Sequence, residues 1–334
     1  MEPDAVDAVE RVPHGGERDT SLLDFSANTN PDRPRGVAAA FESSLAAARR
    51  YPDDEFADVR AAAADYVDCD RSSVVPTAGG LAAIRLVLGT TVGRGDRVLV
   101  PFPSFGEYAR EVRLQGGTVE FVPHDELLAT DPGPAAVAIA CHPNNPTGDA
   151  YDDEGLRAYA DRCRDAGTTL LVDEAFLDFT DRPSLAGEPG VAVARSLTKM
   201  FGLPGIRAGF AVARGPLRDR LETARLAWGL STPAAAVAEH CLRREAFVER
   251  TRARVRRERA RLREALAGRY DVHPSDAPFL LLDAGDRPVD EVVTHARERG
   301  VAIRDATTFR GLDSHVRVAV KGRAANDRLL EALP

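Results

Sequence analysis

Lys199 is one of only two lysines in the chain, with Lys321; every other basic side chain apart from histidine is arginine. A desolvated lysine amine loses its proton and attacks a carbonyl, which a guanidinium cannot do. Lys199 lies in "ARSLTKMFGLPGIRAGF" (194–210), among small and apolar residues, and is therefore a candidate Schiff-base nucleophile. The competing reading is a lysine with a packed stem and its head in water. Its neighbours must decide between the two.

Asp173 ends the apolar run "TTLLV", so its carboxylate is expected to be partly buried and to need a cationic partner, such as a protonated pyridine nitrogen; capping of the next helix is the alternative. "NNPTG" (144–148) is a proline-stiffened turn that holds the Asn145 amide at another strand end, either to donate to a phenolate oxygen or to form an Asx turn. Ser196, Thr198 and Arg207 converge on one anion if "GLPG" folds the chain back. "TAGG" precedes a helix expected to begin near Leu81, and backbone N–H groups of Gly79, Gly80 and Leu81 would complete a phosphate cradle. Phe105 and Tyr108 in "PFPSFGEY" offer rings for stacking or for core packing. Together a nucleophilic lysine, a carboxylate, an amide, an aromatic ring and a phosphate cup are what pyridoxal phosphate requires.

The elements that must position these residues follow from periodicity. Seven short apolar runs between about 73 and 213, "SVVPT", "RVLVPF", "TVEFVPH", "AAVAIACHP", "TTLLVDEA", "VAVARSLT" and "IRAGFAVA", several of them separated by helical patterns, predict a mainly parallel sheet covered by helices. Residues 216–268 read as helical with a break near "LSTPAAA", and strand signals at "FLLLDA", "VAIRDA" and "HVRVAV" with helices at 288–299 and 323–333 predict a smaller α+β domain. The expected division is an arm at 1–36, a large domain at 37–232 and a small one at 233–334.

Composition limits the partners. A net charge of −8 with arginines interspersed among acids argues against a nucleic-acid binder. Four scattered cysteines without a CxxC pair fit a reducing compartment and no structural zinc. With no apolar leader and no run of transmembrane length, a cytoplasmic protein free of membrane is expected.

"NNPTG", "DEAF", "SLTK" and "GIRAGF", in this order and spacing, resemble the fold-type I pyridoxal-phosphate enzymes of the class I/II aminotransferase superfamily. The resemblance implies an aspartate aminotransferase-like α/β fold with a seven-stranded sheet, and attachment of the cofactor at Lys199. It further implies Asp173 on the pyridinium, Asn145 on the phenolic oxygen, Phe105 on the ring, and Ser196, Thr198, Arg207, Gly79 and Gly80 on the phosphate. Tyr51 in "RRYPDDEF" matches a tyrosine that reaches the neighbouring subunit's cofactor, which implies a homodimer with shared active sites.

Two branches are closest, threonine-phosphate decarboxylases of cobalamin biosynthesis and histidinol-phosphate aminotransferases. "HGG" followed by "DFSANTNP", with Asn28 inside it, resembles the first, as does "VAIRDATTFRGLDSHVRVAV"; Phe176 in "DEAFLDF" stands where aminotransferases usually carry tyrosine. "TAGGLAA" departs from the Asn-containing, Glu-ending glycine turn of both branches, and "HGGERD" lacks the asparagine that commonly follows the two glycines. Arg317 in "HVRVAV" matches the superfamily's substrate-carboxylate arginine, and a charge at an inward strand position must be paired, by a substrate carboxylate or by a structural Asp or Glu. Arg304, Arg310 and His14 are candidates for a substrate phosphate. The implied substrate is a small phosphorylated amino acid, and the implied reaction is decarboxylation, with transamination as the alternative.

Overall fold

The computed structural model describes residues 1–334. All seven expected runs form strands of one sheet: β1 (Val74–Thr77), β2 (Arg97–Phe102), β3 (Thr118–Pro123), β4 (Val137–Cys141), β5 (Thr169–Asp173), β6 (Val191–Ser196) and β7 (Gly209–Val212). Their order across the sheet is β1-β7-β6-β5-β4-β2-β3, and β7 alone runs antiparallel to its neighbours. Every residue of β4 is buried, because helices cover both faces of a parallel sheet; this is why these runs are continuously apolar rather than alternating.

The direction of β7 has a consequence for the ligand crevice. Parallel strands deliver their carboxyl ends to one edge of a sheet, where ligands bind. Because β7 is reversed, it starts where its neighbours end: Gly209 stands opposite Thr77 on one side and Ser196 on the other. Arg207, two residues before β7, is thereby brought to the edge that carries Cys141, Asp173 and Ser196.

The second sheet contains β8 (Asp271–Val272), β9 (Phe279–Asp283), β10 (Arg304–Asp305) and β11 (His315–Ala319), all antiparallel, in the order β10-β11-β9-β8. Three helices occupy the region read as broken, Gly215–Ala224, Thr232–Leu242 and Glu245–Leu266. The break at 225–231 has a physical cause: Arg225 makes a two-pronged contact with Asp54, whose carboxylate also accepts the Trp228 N–H at 2.7 Å. The run "VAIRDA" is split in two. Val301–Ala302 pairs with Leu23–Asp24, while Arg304–Asp305 pairs with β11.

The N-terminal segment bridges both sheets. Residues 3–8 form a short helix, and the Glu10 carbonyl accepts from Arg110 on the helix Glu107–Leu114 of the large sheet. Beyond it Phe25 bonds Ala302 and Ala319, so the chain is stitched to the small sheet. No helix is long and apolar enough to cross a membrane.

Candidate functional site

A cavity of about 370 Å³ lies between the carboxyl edge of the large sheet, the small sheet and the N-terminal segment. Its floor is Asp173, at the end of β5 and 6 % exposed. The Tyr108 hydroxyl donates to Asp173 Oδ2 at 2.6 Å and the Ala175 N–H to Oδ1 at 3.0 Å. Burial pushes the Asp173 carboxyl up, against the pull of those two donors and of the Lys199 and Arg195 charges.

Lys199 lies in the turn of helix that follows β6, Leu197–Met200, with Nζ 5.9 Å from the Phe176 ring centroid. Burial first, and then the Arg317 guanidinium, lower its pKa to about 8, with Asp173 opposing and Arg207 assisting. A sizeable fraction of the amine is therefore neutral near physiological pH, as a nucleophile needs. The desolvation that makes a lysine reactive is present here.

At one end of the cavity the phosphate-cup residues come together. Gly79 has φ +98°, and a Cβ there would lie 2.6 Å from the Arg207 guanidinium; a Cβ at Gly80 would lie 3.0 Å from that of Ser196. Only glycine permits the backbone of the turn to approach so closely. The helix Gly80–Thr91 starts at this point and aims its free N–H groups, including that of Leu81, at the same space. Ser196 Oγ and Thr198 Oγ1 lie 2.8 Å apart beside it. One guanidinium, two hydroxyls and a helix start make a cradle for a dianion, so the residues present fit the phosphate of pyridoxal phosphate. Phe105 lines the wall, its ring edge-on to Tyr108 at 5.5 Å.

The opposite wall is cationic. Arg317 on β11 is 5 % exposed, bonds Asn145 Oδ1 and donates to the Ser26 carbonyl at 3.2 Å. Its Nε has no partner. Arg304 faces it in register from β10, bonding the Pro13 carbonyl at 2.9 Å and Thr308 Oγ1 at 2.8 Å. Neither arginine has a carboxylate partner. Burial and the Arg304 charge push the Arg317 pKa down. Buried Asn28 completes this wall, with Oδ1 unpartnered. His14 also lines it, held by Glu107 at 2.9 Å. The "HGG" glycines are explained locally: a Cβ at Gly15 would lie 2.3 Å from the Ser26 carbonyl oxygen.

One expected residue stands elsewhere. Arg310 points out of the cavity, its guanidinium 4.3 Å from the Phe121 ring centroid and 5.7 Å from that of Phe102. Phe309, its neighbour in sequence, takes the inward position beneath Arg304 and Arg317. The turn, closed by bonds from the Phe309 N–H to the Ala306 carbonyl and from the Leu312 N–H to the Phe309 carbonyl, carries Phe309 to the cavity and Arg310 to the Phe102 and Phe121 rings. Tyr51, expected to serve a neighbouring subunit, does not line this cavity: it is 78 % exposed and lies against Trp228, ring centroids 4.6 Å apart.

Sequence reasoning passed over Arg195, Glu174 and Asp178. Arg195 bonds Glu174 at 2.8 Å and also Asp178, all three buried beside Asp173. An arginine inside "VAVARS" carries the same signal as the one inside "HVRVAV". Thr308 and Phe309, both lining the cavity, were also passed over; loop residues of this kind carry no periodic signal.

The chain matches the family model "Aminotransferase class I and II" over residues 20–333. It is 32 % identical to histidinol-phosphate aminotransferase 2 of Archaeoglobus fulgidus, covering 94 % of this chain and 93 % of the relative. It is also 32 % identical to threonine-phosphate decarboxylase of Salmonella typhimurium, covering 93 % and 90 %. Among solved structures, histidinol-phosphate aminotransferase from Sinorhizobium meliloti in complex with pyridoxal-5'-phosphate superimposes with a TM-score of 0.83 at 22 % identity, covering 92 % of this chain and 89 % of that one.

Proposed function

The chain belongs to the class I and II aminotransferase family and takes pyridoxal phosphate as cofactor, and from that premise we propose that it decarboxylates L-threonine O-3-phosphate to (R)-1-aminopropan-2-yl phosphate, a step of cobalamin biosynthesis. The observation that carries this reading is the pair Arg317 and Arg304, side by side on neighbouring strands with no Asp or Glu bonded to either. Two guanidiniums kept apart from acids suit a small substrate with two anionic groups. A cavity of about 370 Å³ that must hold cofactor and substrate together favours a compact one.

When bound, pyridoxal phosphate supplies an electron sink for the bond broken at the substrate's Cα. The protein residues do the rest. Arg207, Ser196, Thr198 and the Gly79–Gly80 turn would hold the cofactor phosphate, Asp173 its ring nitrogen, Asn145 its phenolic oxygen and Phe105 its ring face. Phe176, buried beside Lys199, contributes apolar surface and no hydroxyl. Arg317 orients the substrate carboxylate, while Arg304, His14 and Asn28 receive its phosphate. Lys199 Nζ, in the same cavity, would hold the proton that the substrate's Cα takes up.

We further propose an arm at 1–36, a cofactor-binding domain at 37–232 and a smaller domain at 233–334, and a cytoplasmic homodimer in which exposed Tyr51 reaches the partner's cofactor phosphate. The second reading, an aminotransferase acting on histidinol phosphate, is favoured by the number of relatives so named. The test runs both reactions on cofactor-loaded protein. Carbon dioxide and aminopropanol phosphate from threonine phosphate, without keto-acid consumption and abolished by Lys199→Ala, support the decarboxylase. Glutamate formed from histidinol phosphate and 2-oxoglutarate, without carbon dioxide, replaces it with the aminotransferase.

A further inference from the structure

We propose that Tyr108 is a positioning residue for the cofactor's ring nitrogen: its hydroxyl holds the Asp173 carboxylate in the orientation, and the ionised form, in which that carboxylate pairs with a pyridinium. The inference rests on the reading of Asp173 given above. It assigns a task to a side chain that touches neither substrate nor reacting atoms.

Tyr108 is fully buried on the helix that starts at Glu107, three residues after the ring of Phe105. A phenylalanine would fill almost the same volume, so packing alone does not call for the hydroxyl. A buried hydroxyl without a partner is costly, and this one donates to Asp173 Oδ2 at 2.6 Å. It is the only side-chain hydrogen bond that Asp173 receives; the other donor is the Ala175 N–H on Oδ1. Each carboxylate oxygen is thus held by one donor, with a lone pair left for another. The remaining influences on Asp173, the Lys199 and Arg195 charges, act without contact.

The physical role follows from which protonation state the donor favours. A hydrogen bond given to a carboxylate stabilises the ionised form, against the full burial that drives Asp173 toward neutrality. A neutral acid offers a pyridinium no counter-charge. Burial and the neighbouring Asp173 in turn hold the Tyr108 phenol well above its ordinary value, so it remains a donor throughout the working range. The same helix start therefore sets both the stacking wall and the state of the acid.

Tyr108→Phe removes the hydroxyl and little else. The experiment titrates apoprotein, wild type and Y108F, with pyridoxal phosphate and with its carbocyclic analogue, in which C–H replaces the ring nitrogen. The expected result is a Kd for pyridoxal phosphate raised by roughly 10- to 100-fold in Y108F, the scale of a hydrogen bond to a charged group, and a Kd for the analogue unchanged. Equal weakening of both ligands would overturn the proposal, since the hydroxyl would then serve only the fold; no weakening of either would overturn it as well. Failure of the underlying reading looks different. In that case wild-type protein itself would not distinguish the two ligands, and Asp173→Asn would leave pyridoxal phosphate binding unaltered.

Discussion

Two arginines are equally buried, Arg195 on β6 behind the cavity lining and Arg317 on β11 within it, each 5 % exposed. Arg195 is bonded to the carboxylates of Glu174 and Asp178. Arg317 meets only neutral oxygens, from Asn145 and Ser26, and a second guanidinium across the strand. A buried charge must be offset. The first region does this within the chain and is a structural tie between the turn after Asp173 and the strand before Lys199. The second has no acid of the chain bonded to it, and the substrate-carboxylate contact proposed for Arg317 rests on that difference.

The sharpest way to break this comparison is to remove each guanidinium. Arg195→Met strands two buried carboxylates, and removing one partner of such a pair costs about 3–5 kcal/mol; the melting temperature of the apoprotein should fall by on the order of 10 °C. Arg317→Met should do the reverse, leaving that temperature equal or higher while kcat/KM drops by roughly 10²- to 10³-fold, as for the loss of a charged, hydrogen-bonded contact. If both variants lose the same stability, the distinction between the two regions is wrong.

A smaller effect is expected at the phosphate cup. Gly79→Ala places a Cβ against Arg207 at a positive φ, with a strain of about 1–3 kcal/mol, so the Kd for pyridoxal phosphate should rise roughly tenfold. Substrate affinity of the loaded enzyme should change less. A larger change in substrate affinity than in cofactor affinity would put the cup at the other end of the cavity.

The pH dependence sharpens the comparison further. With the Lys199 pKa lowered to about 8 from an ordinary 10.5, the rate of covalent pyridoxal uptake should climb about tenfold per unit below pH 8 and level off above it. Above it, from 8 to 10.5, the unfolded chain binds the extra proton, so apoprotein stability from this group should increase as pH rises. Arg317→Met should move the uptake midpoint upward, because Arg317 disfavours the ammonium form. A midpoint unmoved by Arg317→Met would separate the two groups. The smallest effect belongs to surface charge: Glu188→Gln, breaking a pair with Arg157 whose side chains are 40 % and 42 % exposed, should change stability by less than about 1 kcal/mol in a thermal melt.

Much of the large sheet and its site was legible because local chemistry and long-range position coincide. Apolar runs in a parallel sheet end at one edge, so Asn145, Asp173, Ser196 and Lys199, each just at or past a run, had to gather there. Arg310 was misplaced because alternation in a loop is set by contacts with Phe102 and Phe121 that no local pattern reveals. The clasp of Asp173 by Tyr108 was invisible for a related reason: 65 positions separate the two residues, and a tyrosine near a strand end reads equally well as core or as stacking wall.

The sequence by itself determined the seven strands of the large sheet, the scarcity of lysine that singled out Lys199, and the glycines at the turn before the helix Gly80–Thr91. These depend on periodicity and on backbone freedom, which are local. Only the tertiary structure decided that β7 runs antiparallel and so returns Arg207 to the carboxyl edge, that two carboxylates neutralise Arg195 and none neutralises Arg317, and that burial lowers the Lys199 pKa. Charge compensation and desolvation depend on which groups meet across the fold, and residue order alone does not state those meetings.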